Sequence, residues 1–347
     1  VAYKEYMKDI GHRWGYTMYE IPEKIRIDQL HFTSGFGGDY RIIAYSTKIS
    51  GEDEEVIIEN ALIKYFYVTP DYPFKSSIRV FPLKRNFQAI SIVTVAGKDE
   101  LRRPGRQHAH ILLIRNEYSR TFYIPLRFIV RFHTTFFSPG QIKPIELELW
   151  SFLKLIRNAV KDIEKDTLHV LDNKILDSKE LATILSCIIE GIKTVIIPDT
   201  EKIELYDING NGKPTSTNII DIALYLLPAS VRIRASFSSF STHPAKEKFN
   251  VIFAPAINQE DNINRSMIII DLLDRKIMNR EGKRIRYKSV FIDAYYNLIE
   301  EAIKEGSFER VLLFSELLDR IFMISKYRDS LKSKMVEKIV KQIFKKS

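Results

Sequence analysis

The chain has 347 residues, 45% hydrophobic and 12% aromatic, which is the composition of a protein with a real core and not of a disordered one; its single cysteine, Cys187, excludes an intramolecular disulfide framework and a cysteine-rich zinc finger. The net charge of +9 is a C-terminal property: residues 275–288 carry a net +6 and residues 330–347 a net +5, leaving −2 for the remainder, so a nucleic-acid or anionic partner would meet that end. No run approaches the roughly 20 apolar residues that cross a bilayer, and the polar start VAYKEYMKDIGHRWGY does not read as a signal peptide, so the expectation is a cytoplasmic protein with no transmembrane segment.

Residues 1–20 are set apart as an extension, because ordered patterning begins only at MYEIPEKIRIDQLHF. KIRIDQLHF (24–32) alternates as a strand does, and YRIIAYS offers a second strand after the glycine-rich turn TSGFGGD. GEDEEVIIENALIKYF reads as a helix with an acidic first turn, as the helix dipole prefers. SIRVFPL, FQAISIVTVAG, HILLI and RTFYIPLRFIVRFHTTFF follow as strands. Residues 21–140 are therefore expected to form a strand-rich N-terminal domain.

Pro139 and Gly140 mark a boundary, after which a long helix is expected over roughly 145 to 165. SKELATILSCIIEGI predicts a second helix with Ser178 as its N-cap, Glu180 in its first turn and Gly191 near its end, and it buries Cys187 as a small hydrophobe. The strand KTVIIPD, the helix STNIIDIALYLLP and the strands SVRIRASFSSF, KFNVIFAPA and SMIIIDLL complete a middle α/β domain over 141–285. Residues 286–347 are expected to be helical. In the tail Leu331, Met335, Val336, Ile339, Val340, Ile343 and Phe344 recur at helical spacing, and their simplest use is to pack on the two helices before them.

Few stretches carry chemistry. In DINGNGKPTSTN, Asp207 and Pro214 spoil a phosphate-binding loop, and Asn218 stands where a calcium loop needs a bidentate glutamate. An ordinary Asn-Gly turn is the reading that remains. His108 and His110 share a strand face, but a metal needs a third ligand that ILLI does not supply, so neither a metal nor a cofactor is expected. Two His-x-Thr pairs, His31 with Thr33 and His133 with Thr135, form the pattern of a two-histidine phosphoesterase: one imidazole as base, one as acid, hydroxyls on the phosphate. Arg280, Lys283, Arg284, Arg286 and Lys288, interleaved with apolar residues, are candidates for gripping anions, although a solvated loop between domains has the same composition.

DQLHFTSGFGGDYRIIAYS resembles the opening of the GTPase-associated protein family, partners of small GTPases in prokaryotic ternary conflict systems. Gln29, Leu30, Gly35, Gly37, Gly38, Ala44 and Ser46 carry that likeness. VAGKDELRRPGRQHAHILL is similar to a second stretch of the family through Gly97, Asp99, Arg103, Gly105, Arg106, Ala109, His110, Leu112 and Leu113, with Arg102 where the family has glycine. LLPASVRIRASFSSF resembles its middle region through Leu226, Leu227, Pro228, Arg232, Ser236, Phe237 and Ser238. The resemblance implies a GTPase-linked adaptor or regulator with no established catalytic residue. In it Arg103 and Arg106 would face an acidic partner or phosphate, with Arg103 or Arg106 the candidate arginine finger, and His110 would sit inside as an oriented hydrogen-bonder.

The expected fold is α+β: a strand-rich N-terminal domain, an α/β middle domain and a basic helical C-terminal segment. The leading function is binding of a small GTPase. The alternatives are a phosphoesterase acting on RNA ends or cyclic nucleotides through His31 and His133, and nucleic-acid binding at the basic C-terminal end.

Overall fold

The structure is a computed structural model that describes residues 23–34, 39–63, 76–95, 106–205, 213–257, 267–279, 281–324 and 332–345. Its centre is one mixed sheet. The first half of the chain contributes β1 (Lys24–Ser34), β2 (Tyr40–Tyr45), β3 (Ser76–Pro82), β4 (Phe87–Val95), β5 (Gln107–Arg115), β6 (Gly140–Gln141) and β7 (Ile145–Glu148). The second half contributes β8 (Thr194–Ile197), β9 (Phe237–Ser238), β10 (Val251–Phe253), β11 (Ile268–Asp271) and β12 (Lys276–Asn279). The spatial order is β12-β11-β8-β10-β9-β3-β4-β5-β1-β2-β6, with β7 on the outer stretch of β1. β3, β4, β5 and β1 run antiparallel, whereas β9, β10, β8 and β11 run parallel, and the antiparallel pairing of β3 with β9 joins the two arrays. The protein is thus mixed α/β, and one hydrophobic core runs through both arrays.

The β3–β9 junction sets Arg79 opposite Ser238 and Val80 opposite Phe237, so one charged side chain enters an apolar seam. The Arg79 guanidinium and the Glu247 carboxylate, both buried, pair at 2.7 Å. Arg79 Nε also donates to the Asn60 carbonyl at 2.7 Å, and its head lies 4.5 Å from the Phe249 ring centre. Each of the three guanidinium nitrogens therefore donates to an oxygen.

The helices follow their apolar stripes. α1 (Gly51–Asn60) is capped by the Ser50 hydroxyl, which accepts from the Asp53 amide. Two short helices, α2 (Asn116–Thr121) and α3 (Leu126–Ile129), and a 3-10 turn at Val130–Phe132 occupy the stretch that the sequence predicts as a strand. The apolar run misleads there because the Pro125 carbonyl accepts from the Phe128 and Ile129 amides and starts a helix, which buries Leu126, Phe128 and Ile129 together. His133 and Thr135 consequently lie in a loop and not on a strand.

The long helix α4 (Leu149–Asp172) starts four residues later than expected, since Ile145–Glu148 pairs with Lys24–Ile27 instead. In α5 (Ser178–Glu190) the N-cap is Asp177, not Ser178: its carboxylate accepts from the Glu180 amide while Glu180 accepts from the Asp177 amide. Gly191 ends α5 in the left-handed conformation, at φ 70°, which a glycine adopts without a Cβ clash. α6 (Ser216–Leu226) is followed by the one-turn α7 (Ala229–Arg232). There the Pro228 carbonyl takes the Val231 and Arg232 amides, so the strand expected across SVRIRASFSSF shrinks to β9. α8 (Val290–Glu305), α9 (Glu309–Ile324) and α10 (Lys332–Lys345) close the chain. α10 packs on α8 and α9, as the tail's spacing predicts, and buries Val336, Ile339 and Ile343 while Met335 stays exposed. Among the described residues no helix is long and apolar enough to cross a membrane.

Candidate functional site

Alternate residues of a strand share a face, so β1 presents Gln29, His31 and Thr33 together, and β5 presents His108 and His110. The antiparallel register sets His31 opposite His110 and Thr33 opposite His108. β4 extends the two rows with Ile92 and Thr94. The loop after the 3-10 turn lies against this face and brings a fourth imidazole, His133, whose ring centre is 5.7 Å from that of His110. The His31 and His110 rings stack at 4.4 Å, and Phe137 covers His31 at 4.5 Å and His108 at 5.3 Å.

Hydrogen bonds fix the proton positions of one ring. Gln29 Nε2 donates to the Lys143 carbonyl at 2.6 Å, so Gln29 Oε1 faces His110 Nε2, 3.0 Å away, as an acceptor. His110 must then carry its proton on Nε2, and Nδ1 accepts from the Thr134 amide at 3.1 Å. A second proton on His110 would point at an N–H. His31 Nδ1 and His108 Nε2 share one hydrogen bond of 3.0 Å, and His108 Nδ1 and His133 Nδ1 are buried without a partner among the described residues.

These surroundings disfavour charge on every ring. Burial, reinforced by the neighbouring imidazoles, pushes His31 and His108 down to about 4. Burial and the other three rings push His110 down to about 2, and burial lowers His133. Arg106 also weighs against a proton on His108. All four imidazoles are neutral at pH 7, so none is poised to deliver a proton as a general acid. Among the described residues no group of three or more His, Cys, Asp or Glu side chains has the geometry to hold a metal ion.

The hydroxyls of the two His-x-Thr pairs do not converge. Thr33 Oγ1 donates to the Gln107 carbonyl at 2.9 Å, and Thr135 is exposed. Arg106 is tied to β1: Nη2 donates to the Ser34 carbonyl at 3.0 Å and Nε approaches Thr33 Oγ1 at 3.4 Å. Arg103, Gly97, Asp99, Gly105 and Arg280 lie outside the described residues, as do Asp207, Asn209, Asn211 and Gly212 of the Asn-Gly stretch. What sequence reasoning missed is the gathering of His31, His108, His110 and His133 into one stack under Phe137, and the part of Thr134 in orienting it.

The basic segment is more ordered than a solvated loop. β12 occupies its first part, and Arg275 pairs with the buried Glu180 at 2.5 Å. Burial raises that carboxyl to about 7 against the opposing pull of Arg275. Beyond β12, Ile285 and Tyr287 turn inward while Arg284, Arg286 and Lys288 turn outward. The Ile285 amide bonds the Ile277 carbonyl, and the Tyr287 and Ser289 hydroxyls both bond Glu190. These cations line a groove of about 1100 Å³ with Lys179, whereas Lys283 is exposed and paired with Glu281 at 2.8 Å. No protein-family model matches the chain, and no curated protein does.

Proposed function

We propose that the protein is a non-catalytic, cytoplasmic adaptor or regulator that binds a small GTPase in a prokaryotic defence or signalling system. The observation that carries this reading is the hydrogen bond between Gln29 and His110 at 3.0 Å. Each residue belongs to a different stretch of the family resemblance, and the bond ties those stretches on adjacent strands, so the likeness describes one folded unit. The division into a strand-rich N-terminal part, an α/β middle part and a basic helical end belongs to the same reading. The locked, neutral histidines support a framework role over catalysis. Beside them Phe136 is 89% exposed, a large apolar side chain of the kind that anchors protein interfaces. The test is a pull-down from native host lysate in GDP and in a non-hydrolysable GTP analogue, with wild type and Phe136→Ala. A small GTPase enriched in one nucleotide state, and captured several-fold less by the variant, is the expected result. Absence of any GTPase from both states removes the reading.

The groove beside Lys179 favours a second reading, nucleic-acid binding. Arg284, Arg286 and Lys288 are exposed in alternation with the half-buried Ile285 and Tyr287; residues two apart on extended chain recur every about 6.6 Å on one side, a spacing suited to successive phosphates of a single strand. Fluorescence anisotropy with a labelled single-stranded RNA should show affinity falling steeply with salt. Neutralising all three to glutamine should flatten the log–log slope by about 2, at roughly 0.7 per lost phosphate contact. A slope unchanged by the triple variant would sink this reading. The phosphoesterase reading draws less support, because its acid would have to come from imidazoles that burial keeps neutral.

A further inference from the structure

Two buried polar atoms without partners among the described residues, Arg232 Nε and Ser230 Oγ, belong to side chains that line one cleft. The cleft has a volume of about 480 Å³ and lies between the end of α2, the Leu227–Arg232 segment and α9. That size falls inside the roughly 300–1,000 Å³ of small-molecule sites. Arg232 donates only to carbonyls, those of Ser119 at 3.2 Å and Leu224 at 3.4 Å, and its head lies 5.2 Å from the Tyr123 ring centre. The Tyr123 hydroxyl is already committed to Asp221, which is itself paired with Arg127. Among the described residues no carboxylate reaches Arg232 at ion-pair distance. Asp319 acts on it only at longer range, its Oδ1 being engaged by the Ser230 amide at 2.7 Å.

Arg232 as a whole is part-buried, but its Nε is shut from water with neither a partner nor a counter-charge at hand among the described residues, and such a group is costly unless something else supplies the charge. Burial alone would drive the Arg232 guanidinium toward losing its proton, and it is pushed down to about 10. At the rim, Arg320 and Glu316 neutralise each other at 2.6 Å, while Arg120 is exposed. The lining therefore offers two cations outside the Arg320–Glu316 pair, Arg232 and Arg120, the buried unused hydroxyl of Ser230 and the Asp319 carboxylate.

We propose that this cleft binds a small molecule bearing one carboxylate or phosphate group, which pairs with Arg232, Ser230 Oγ and Arg120 while Asp319 receives a hydrogen-bond donor of the same molecule. The site shares Leu227, Pro228 and Arg232 with the family resemblance but uses neither the four histidines nor Phe136, so its test can fail separately from that of the GTPase reading.

Thermal-shift titrations with inorganic phosphate and, separately, acetate at constant ionic strength test the proposal. A saturable rise in Tm with either ion supports it and says which group is recognised. Arg232 also braces two carbonyls, so its replacement risks the fold, and the informative variants are Ser230→Ala and Arg120→Gln. Ser230 Oγ bonds nothing in the described structure, so S230A should leave the ion-free Tm unchanged yet weaken the anion about tenfold or more, as loss of a charge-assisted bond does. R120Q should weaken it in the same direction. No saturable shift with either ion, or a shift that both variants retain, overturns the site.

Discussion

Glu247→Ala should cost about 3–5 kcal/mol of folding free energy, because it strands the Arg79 guanidinium inside the protein with its main counter-charge gone. Arg79 is fully buried, Glu247 nearly so, and the pair closes at 2.7 Å. Charges that close in so dry a place are not screened as surface pairs are. The remaining bond to the Asn60 carbonyl and the contact with Phe249 solvate the cation only in part. The midpoint of urea denaturation measures the loss. A double variant, Arg79→Met with Glu247→Leu, should recover most of it, since replacing a whole buried pair by apolar groups is often neutral. If E247A alone leaves the midpoint within experimental error, the pair does not hold the junction of β3 and β9.

The second large effect is acid instability. His31 and His108 are held at about 4 and His110 at about 2, against an ordinary value near 6.5. A base whose folded pKa is depressed binds its proton more readily when unfolded, so stability is complete above pH 6.5 and drains away as pH falls toward 4. Glu180, raised to about 7 by burial, and Asp221, also raised by burial, run the other way, but they are two groups against four imidazoles. The net loss between pH 7 and 4.5 should be on the order of 5 kcal/mol, comparable with the whole stability of many domains. Denaturation series at several pH values read the slope directly. In a His31→Asn, His108→Asn variant the slope should be visibly shallower, whatever the variant costs at neutral pH. An equal slope in both proteins would mean that these rings are protonated without penalty.

Much of the fold is visible in the sequence because its signals are local. The alternation in KIRIDQLHF and FQAISIVTVAG, the helix-capping glycine after α5 and the apolar stripe of α10 each depend on neighbours within a few residues. The stretch from Thr121 to Phe137 is different. It is apolar enough for a strand, but the Pro125 carbonyl gathers two amides and its middle, 126–132, turns helically. The site shows the same division. Each of the four histidines stands out in the sequence, but their meeting depends on register, and a slip of one residue between β1 and β5 would send one strand's histidines to the other face. Asp177 illustrates a smaller miss: with Asp177 as N-cap, Glu180 falls at the third position and completes the capping box, whereas Ser178 would put Leu181 there.

The junction where β3 meets β9 also bears on how the chain reaches its fold. Arg79 and Glu247 are 168 residues apart in sequence, whereas β3, β4 and β5 are near neighbours. Contacts of such long span close late, after the local hairpins. During synthesis, then, the free side of β3 is an open edge while the chain that will cover it is still being made. An open, apolar edge at that stage invites the wrong strand, from another molecule or from elsewhere in this one. Arg79 sits in the middle of that edge with its charge directed inward, so any strand that pairs there without bringing a carboxylate must bury it uncompensated. Before its partner is made, Arg79 should thus disfavour strands that bring no carboxylate and favour the segment of β9 that is followed by Glu247.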